Sequence, residues 1–209
     1  MKTFSQQAAK PEKIGTLMGT AAVCLSPPSS TRSRILNAAI KRFARFSYEE
    51  TGLRDIADDV GVDVAYVHRS FGSKERLFAE AVRATAQADR ITALDEANFP
   101  GELAREFLAE DPETEHGVRP FDISVRSLSS ASAAPVLREF ILNDVIVPLN
   151  DKIQSTDLKR AAMVAALLSG LGILRDVLKI DPLVSDDDGE LELLIRDTVA
   201  AIIEHPGRR

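Results

Sequence analysis

The sequence predicts an all-α chain, with a small three-helix unit containing a helix-turn-helix near the N-terminus and a larger helical unit behind it. Three observations carry that prediction. Apolar residues recur at i, i+3, i+4, i+7 spacing from Thr31 nearly to the C-terminus. No stretch alternates apolar and polar residues for long, and Asp188-Gly189 lies between two helical patterns rather than two strand-like ones. The stretch Thr51–Lys74, TGLRDIADDVGVDVAYVHRSFGSK, reads as two short helices about a tight turn, with a third helix beginning after it.

Residues 1–28 have the composition of a disordered tail, ending near Ser26-Pro27-Pro28-Ser29-Ser30. Lys2, the weakly apolar Ile14–Leu25 run and Cys24 faintly suggest a lipoprotein signal. Gly15, Thr16, Gly19 and Thr20 interrupt that run, however, and Val23 stands where a small residue is needed. The first helix is expected to be capped by Thr31 and to bury Ile35, Leu36, Ala39, Ile40 and Phe43, with Arg32, Arg34, Lys41 and Arg42 on its outer faces.

Thr51 is placed to cap the second helix, whose inner face is Leu53, Ile56, Ala57 and Val60. Gly61 can end that helix in the left-handed conformation, with Val62 as an apolar plug in the turn. Asp63 can cap the third helix, where Val67 and Phe71 face inward and Tyr66, His68, Arg69 and Ser70 face out. A helix of two turns does not persist alone and must pack on its neighbours. A short, exposed, polar helix held on an apolar hub is the form of a DNA major-groove reader. Ser73 is expected to cap a fourth helix running unbroken to about Ala97, with Leu77, Phe78, Ala81 and Val82 on the hub.

Further helices are expected at about 102–110, 120–130, 134–151, 157–179 and 188–205. The 157–179 and 188–205 helices are apolar on more than one side and must be covered on both. Ser185–Gly189 reads as an acidic solvated loop without the ligand spacing of a calcium loop.

Charge and composition narrow the function. Residues 31–83 hold ten bases against eight acids, and residues 84–209 thirteen against twenty-three, within a net charge of −6. Bulk charge therefore does not draw the chain to nucleic acid, and binding must rest on local phosphate contacts. One cysteine and three scattered histidines (His68, His116, His205) give neither a disulfide framework nor a metal site. There is no GxSxG, P-loop or Cys/His pair near Cys24, so no enzyme and no cofactor is expected. No apolar run is long enough to span a membrane, and a cytoplasmic setting is the default expectation.

The run Ile35-Leu36…Ala39…Phe43-Ala44…Tyr48…Thr51…Leu53-Arg54-Asp55-Ile56-Ala57…Gly61-Val62…Val67…Phe71…Ser73-Lys74-Glu75…Leu77 resembles the tetracycline-repressor (TetR) family of bacterial transcription regulators. The resemblance implies a DNA-binding domain over 29–88 and a ligand-binding and dimerisation domain over 89–209. It also implies a homodimer built by the last two helices, a palindromic double-stranded DNA operator, and release of DNA when a small-molecule effector enters the second domain.

Carried over by position, the DNA-binding candidates are Thr51, Arg54, Val64, Ala65, Tyr66, His68, Arg69, Ser70 and Lys74. Lys74, at a helix N-terminus, is placed to hold a phosphate, and Arg69 can contact guanine in bidentate fashion. Alternatives stand beside some of these. Tyr66 can be half core, and Arg54 can pair with Asp55, Asp58 or Glu50. His68 stands where the family often has tyrosine, and Gly52 and Tyr66 replace commoner small polar residues, which leaves the operator sequence open. For the effector pocket the candidates are Phe99, Phe107, Phe121, Leu128, Phe140 and Met163, each of which ordinary core packing explains equally well. A ligand-responsive repressor is the first reading; a helical protein-binding adaptor without DNA binding is the alternative.

Overall fold

Capping, proline placement and two apolar cores account for the architecture. The computed structural model describes residues 30–85, 88–109, 118, 120–185 and 188–205, and among these every regular element is helical. The expectations for residues 1–28, Cys24 and His116, and for Asp186 and Asp187 of the acidic loop, lie outside the described residues.

Helix α1 (Thr31–Arg45) is capped by Ser30, whose Oγ accepts from the Ser33 N–H at 3.1 Å, so Thr31 is its first helical residue rather than its cap. Helix α2 (Leu53–Val60) departs in a similar way. Its cap is Gly52, whose N–H donates to the Asp55 carboxylate at 2.8 Å, while the Thr51 hydroxyl donates backwards to the Ser47 carbonyl at 3.1 Å. Gly61 takes φ +72° as expected, and the Val62 N–H closes back on the Ala57 carbonyl at 3.0 Å, satisfying the end of α2. Asp63 caps α3 (Val64–Phe71) through the Ala65 N–H at 2.6 Å, and Ser73 caps α4 (Lys74–Thr85) through the Arg76 N–H at 3.3 Å.

The fourth helix does not reach Ala97. Helix α5 (Ala88–Ala93) ends at Ala93, and a turn follows in which the Asp95 carboxylate accepts from the Ala97 N–H at 3.1 Å. Helix α6 (Phe99–Leu108) starts after that turn with Pro100 in its first turn. Proline also opens α8 (Ala134–Phe140) and α11 (Asp181–Val184), where its fixed φ suits the helix and no N–H is required, and it stands second in α9 (Val147–Lys152).

The expected 134–151 helix is continuous in path, because a π-helical stretch over Ile141–Ile146 joins α8 to α9. Pro148 cannot donate to the carbonyl four residues back, and the wider turn re-registers the ladder ahead of it, the Val147 N–H bonding to Leu142. Helix α10 (Leu158–Gly172) likewise runs on through π-helical residues Ile173–Val177. Helices α7 (Pro120–Ser127) and α12 (Glu190–Glu204) complete the chain.

One core holds the faces of α1–α4 together and continues through Val118, Ile123, Ala133, Leu137 and Phe140 of the α7–α8 region. The reading helices are therefore seated on the body as well as on each other. At the centre of this core the Phe78 ring meets Phe43 edge-on at 4.9 Å and Tyr48 edge-on at 5.0 Å. A second core joins α6, α9, α10 and α12 through Phe99, Leu103, Leu149, Val164, Ile195 and Val199. Gly172 marks a close approach, since a Cβ there would lie 2.5 Å from the Phe121 ring.

Candidate nucleic-acid interface and effector groove

Helix α3 is two turns long, and internal bonds hold it and its surroundings in place. The Arg32 guanidinium lies 4.4 Å from the centre of the Phe71 ring and donates to both oxygens of Glu80 at 2.7 Å. Arg34 donates to the Val60 carbonyl at 2.8 Å, closing the end of α2. Arg42 pairs with Asp59 at 3.0 Å and approaches Asp55 at 3.9 Å. The hydrogen bond from Arg42 is the main reason the Asp59 carboxyl is held below the usual aspartate range. Three cations of the head are thus engaged by its own acids and carbonyls, a division of labour that sequence does not reveal.

Arg54 is exposed on α2 and makes no ion pair among the described residues, so the alternative pairing with Asp55, Asp58 or Glu50 is not adopted. Ala65, Tyr66, His68 and Arg69 are exposed on α3, and Val64 and Ser70 are half-buried. Val64 packs against the first core, so only part of its side chain is presented outward. Tyr66 is 37% exposed, and the Arg69 guanidinium lies 5.7 Å from its ring centre, so the two act as one stacked unit. His68 Nδ1 is 3.3 Å from the Gly72 carbonyl; a carbonyl only accepts, so Nδ1 donates there.

Thr51 departs from expectation. It is fully buried, with its hydroxyl spent on Ser47, and its side chain supports the turn before α2 rather than reaching a ligand.

Lys74 is half-buried at the start of α4, its Nζ 4.1 Å from the centre of the Tyr48 ring. The Tyr48 hydroxyl donates to Glu75 at 3.1 Å, which fixes the ring under the ammonium. Burial lowers the Lys74 pKa, while Glu49, Glu75 and Asp55 act in the opposite direction. The result is an oriented cation at a helix N-terminus, the arrangement that suits a phosphate oxygen. Tyr48 and Glu49 are therefore site residues that sequence reasoning missed. Tyr48 stood within the family-like run and was legible there; nothing local marks Glu49.

The six pocket candidates are not brought together. Phe140 lies buried in the first core and Phe99 in the second; Phe107 flanks the second core. Phe121 rests on Gly172, and Met163 is 58% exposed. Of the six, Leu128 lines an open groove of about 400 Å³ among the described residues, with Ala134, Leu137, Arg138, Ile141, Leu142 and Ile146. Ala134, Leu137, Arg138, Ile141 and Leu142 stand at i, i+3, i+4, i+7, i+8, so the stripe was readable in sequence; whether another element covers it was not.

No helix is long and apolar enough to cross a membrane, and no cluster of metal-ligating side chains occurs, among the described residues.

Comparison with known proteins agrees with these features. Residues 35–81 match the model of bacterial regulatory proteins of the tetR family, and residues 97–203 match the tetracyclin repressor-like C-terminal domain. No curated protein matches the chain. A TetR-family regulator from Streptomyces coelicolor A3 is similar at 27% identity, over 83% of this chain and 94% of that one, with a TM-score of 0.55. The reduced form of NemR from E. coli shares the fold at 15% identity and a TM-score of 0.60, over 85% of this chain and all of that one. The multidrug binding protein EbrR, solved with ethidium, shares it at 21% identity and a TM-score of 0.58, over 84% and 99% of the two chains. The second family model alone spans just over half of the chain, and with the helix-turn-helix match before it the protein belongs to the TetR family: an all-helical, DNA-binding transcription regulator and not an enzyme.

Proposed function

We propose that this regulator is a repressor that binds a palindromic operator as a homodimer and is released by a small apolar ligand. The observation that carries the reading is the core shared between the head and the α7–α8 region, because anything that shifts α7 or α8 must also shift the seat of α1 and α4. In this reading residues 29–88 act as the DNA-binding domain and residues 89–209 as the body. The proposed contacts are Arg54, Ala65, Tyr66, His68 and Arg69 to bases or phosphate, with Val64 and Ser70 at the margin and Lys74 on a phosphate.

Dimerisation through the last two helices is supported by what one chain leaves in water: Leu158 and Met163 on α10, Leu174 and Leu178 just beyond it, and Leu193 and Leu194 on α12. A monomer seldom keeps so many large apolar side chains exposed on two neighbouring helices. The apolar groove beside Leu128 supports the ligand reading, as does EbrR, a protein of this fold solved with ethidium. A ligand acts only through its differential affinity for the two head spacings, so it must favour the one that does not fit the operator.

The test is selection of duplexes from a random library by the full-length chain, followed by fluorescence anisotropy at several salt concentrations. The reading expects an inverted-repeat consensus and steeply salt-dependent binding. Enrichment of no duplex, together with capture of a protein partner, would favour the adaptor instead.

A further inference from the structure

Glu49 lies in the turn between α1 and α2, immediately after Tyr48, whose ring supports the Lys74 ammonium. It is exposed, yet one of its oxygens is taken by the body: Ser130 Oγ, in the turn between α7 and α8, donates to Glu49 Oε1 at 2.7 Å. Ser130 is itself buried, and its Oγ also accepts from the Ala133 N–H at 2.9 Å, so its position is set by the start of α8. The last turn of α7, just before it, holds the head at a second point, where Arg126 Nε donates to the Ala44 carbonyl at 2.6 Å near the end of α1.

Of the acids that act on Lys74, Glu49 comes first, yet no ion pair joins the two among the described residues. The Ser130 bond is the main reason the Glu49 carboxyl is held below its usual range, with Lys74 a smaller contributor. A carboxylate one residue from Tyr48, whose ring lies under the Lys74 ammonium, is therefore held by hydroxyls that belong to the regulatory body.

We propose that Glu49 is a switchable counter-charge for Lys74, parked by Ser130 when the α7–α8 turn is seated and released onto Lys74 when that turn moves. This rests on the reading of Lys74 as a phosphate contact. Once released, Glu49 competes with the DNA phosphate for the same ammonium, and the contact is lost without any change in α3. Leu128 and Ala134 line the apolar groove on either side of the Ser130 turn, so the turn that parks Glu49 is also a wall of that groove. Occupancy of the groove and neutralisation of Lys74 are in this way linked through the hydroxyls of one turn, Ser130 foremost and Ser132 beside it. Glu49 and Ser130 act as positioning residues; of these three side chains only Lys74 touches the nucleic acid.

A double-mutant cycle in the full-length chain tests this, with a labelled duplex selected from a random library and anisotropy read over a salt series. Ser130→Ala is expected to weaken binding about tenfold, the scale of one charge-assisted contact, and to lower the salt slope by about 0.9 per subunit. In the Glu49→Gln background, Ser130→Ala is expected to have no effect on either quantity, because the neutral amide does not compete for the ammonium. A merely structural loss at Ser130 would persist in that background, and would overturn the proposal. An unchanged affinity for Ser130→Ala in the otherwise native chain would overturn it too. Lys74→Ala separates the two levels: if it weakens binding while Ser130→Ala does not, only the counter-charge falls. If Lys74→Ala changes nothing, the phosphate reading falls and takes this proposal with it.

Discussion

Replacing Lys74 by alanine isolates one electrostatic contact on a head where Arg32, Arg34 and Arg42 are engaged internally. The ammonium lies 4.1 Å from the centre of the Tyr48 ring, at the first residue of α4. A hydrogen bond to a charged group contributes roughly 1.5–3 kcal/mol net, so losing it weakens binding about ten- to a hundredfold per subunit. Each lost phosphate contact also lowers the slope of log affinity against log salt by about 0.9, hence by about 1.8 for a symmetric dimer.

The cost to the fold is small by comparison. A partly exposed cation–π contact contributes about 0.5–1 kcal/mol, offset by the burial that already lowers the pKa of this lysine. For a chain of this size the melting temperature should move by only a few degrees. Anisotropy titrations between low and moderate salt, with a thermal melt of the same preparation, measure both quantities. The cationic form is the one that binds, and its pKa is lowered, so affinity should decline on the alkaline side before an ordinary lysine would deprotonate. Parallel salt slopes for the native chain and Lys74→Ala would refute the phosphate contact, whatever the change in absolute affinity.

Other positions answer different questions. Gly172→Ala places a Cβ 2.5 Å from the Phe121 ring, and overpacking of that kind should cost about 1–3 kcal/mol, visible as a lower urea midpoint; an unchanged midpoint would mean the ring swings aside freely. Leu194→Glu puts a charge on a side chain that is 57% exposed in the single chain. It should convert a sedimenting dimer to monomer with the fold intact by circular dichroism, and a dimer that survives Met163→Glu as well would place the interface elsewhere. The Asp59 pKa is depressed in the folded chain, chiefly by the hydrogen bond from Arg42. The sign is therefore that of a carboxylate whose contribution is present above its unfolded value of about 3.9 and lost as pH falls through that value toward the folded one. Asp59→Asn should flatten that part of the acid limb in urea titrations run from about pH 7 to pH 3; an identical acid limb would show that the pair contributes nothing.

The chain's sequence by itself determined what depends on near neighbours. Helical periodicity placed the elements of the head, Gly61 and Asp63 carried the turn between α2 and α3, and Ser73 opened α4, because caps and left-handed turns involve residues only a few positions apart. The inward faces of α2 and α3 were legible for the same reason. Local signals misled where two neighbours compete for one role: Thr51 and Gly52 both stand before α2, and burial of the threonine side chain decided between them.

What only the tertiary structure decided is which groups far apart in sequence share a space. Apolar stripes said that Phe99, Phe107, Phe121, Leu128, Phe140 and Met163 belonged to helices, but not that they divide between two cores, a glycine contact, a groove and open solvent. The same holds for charge. Whether a cation is free to meet DNA depends on the acid facing it, and Arg32 meets Glu80 across 48 positions while Arg54 meets none among the described residues. Glu49 and Ser130 are 81 positions apart, and their bond exists only because one core carries α1, α7 and α8 together. Periodicity encodes which way a side chain faces along its own helix, and long-range packing alone determines what it faces.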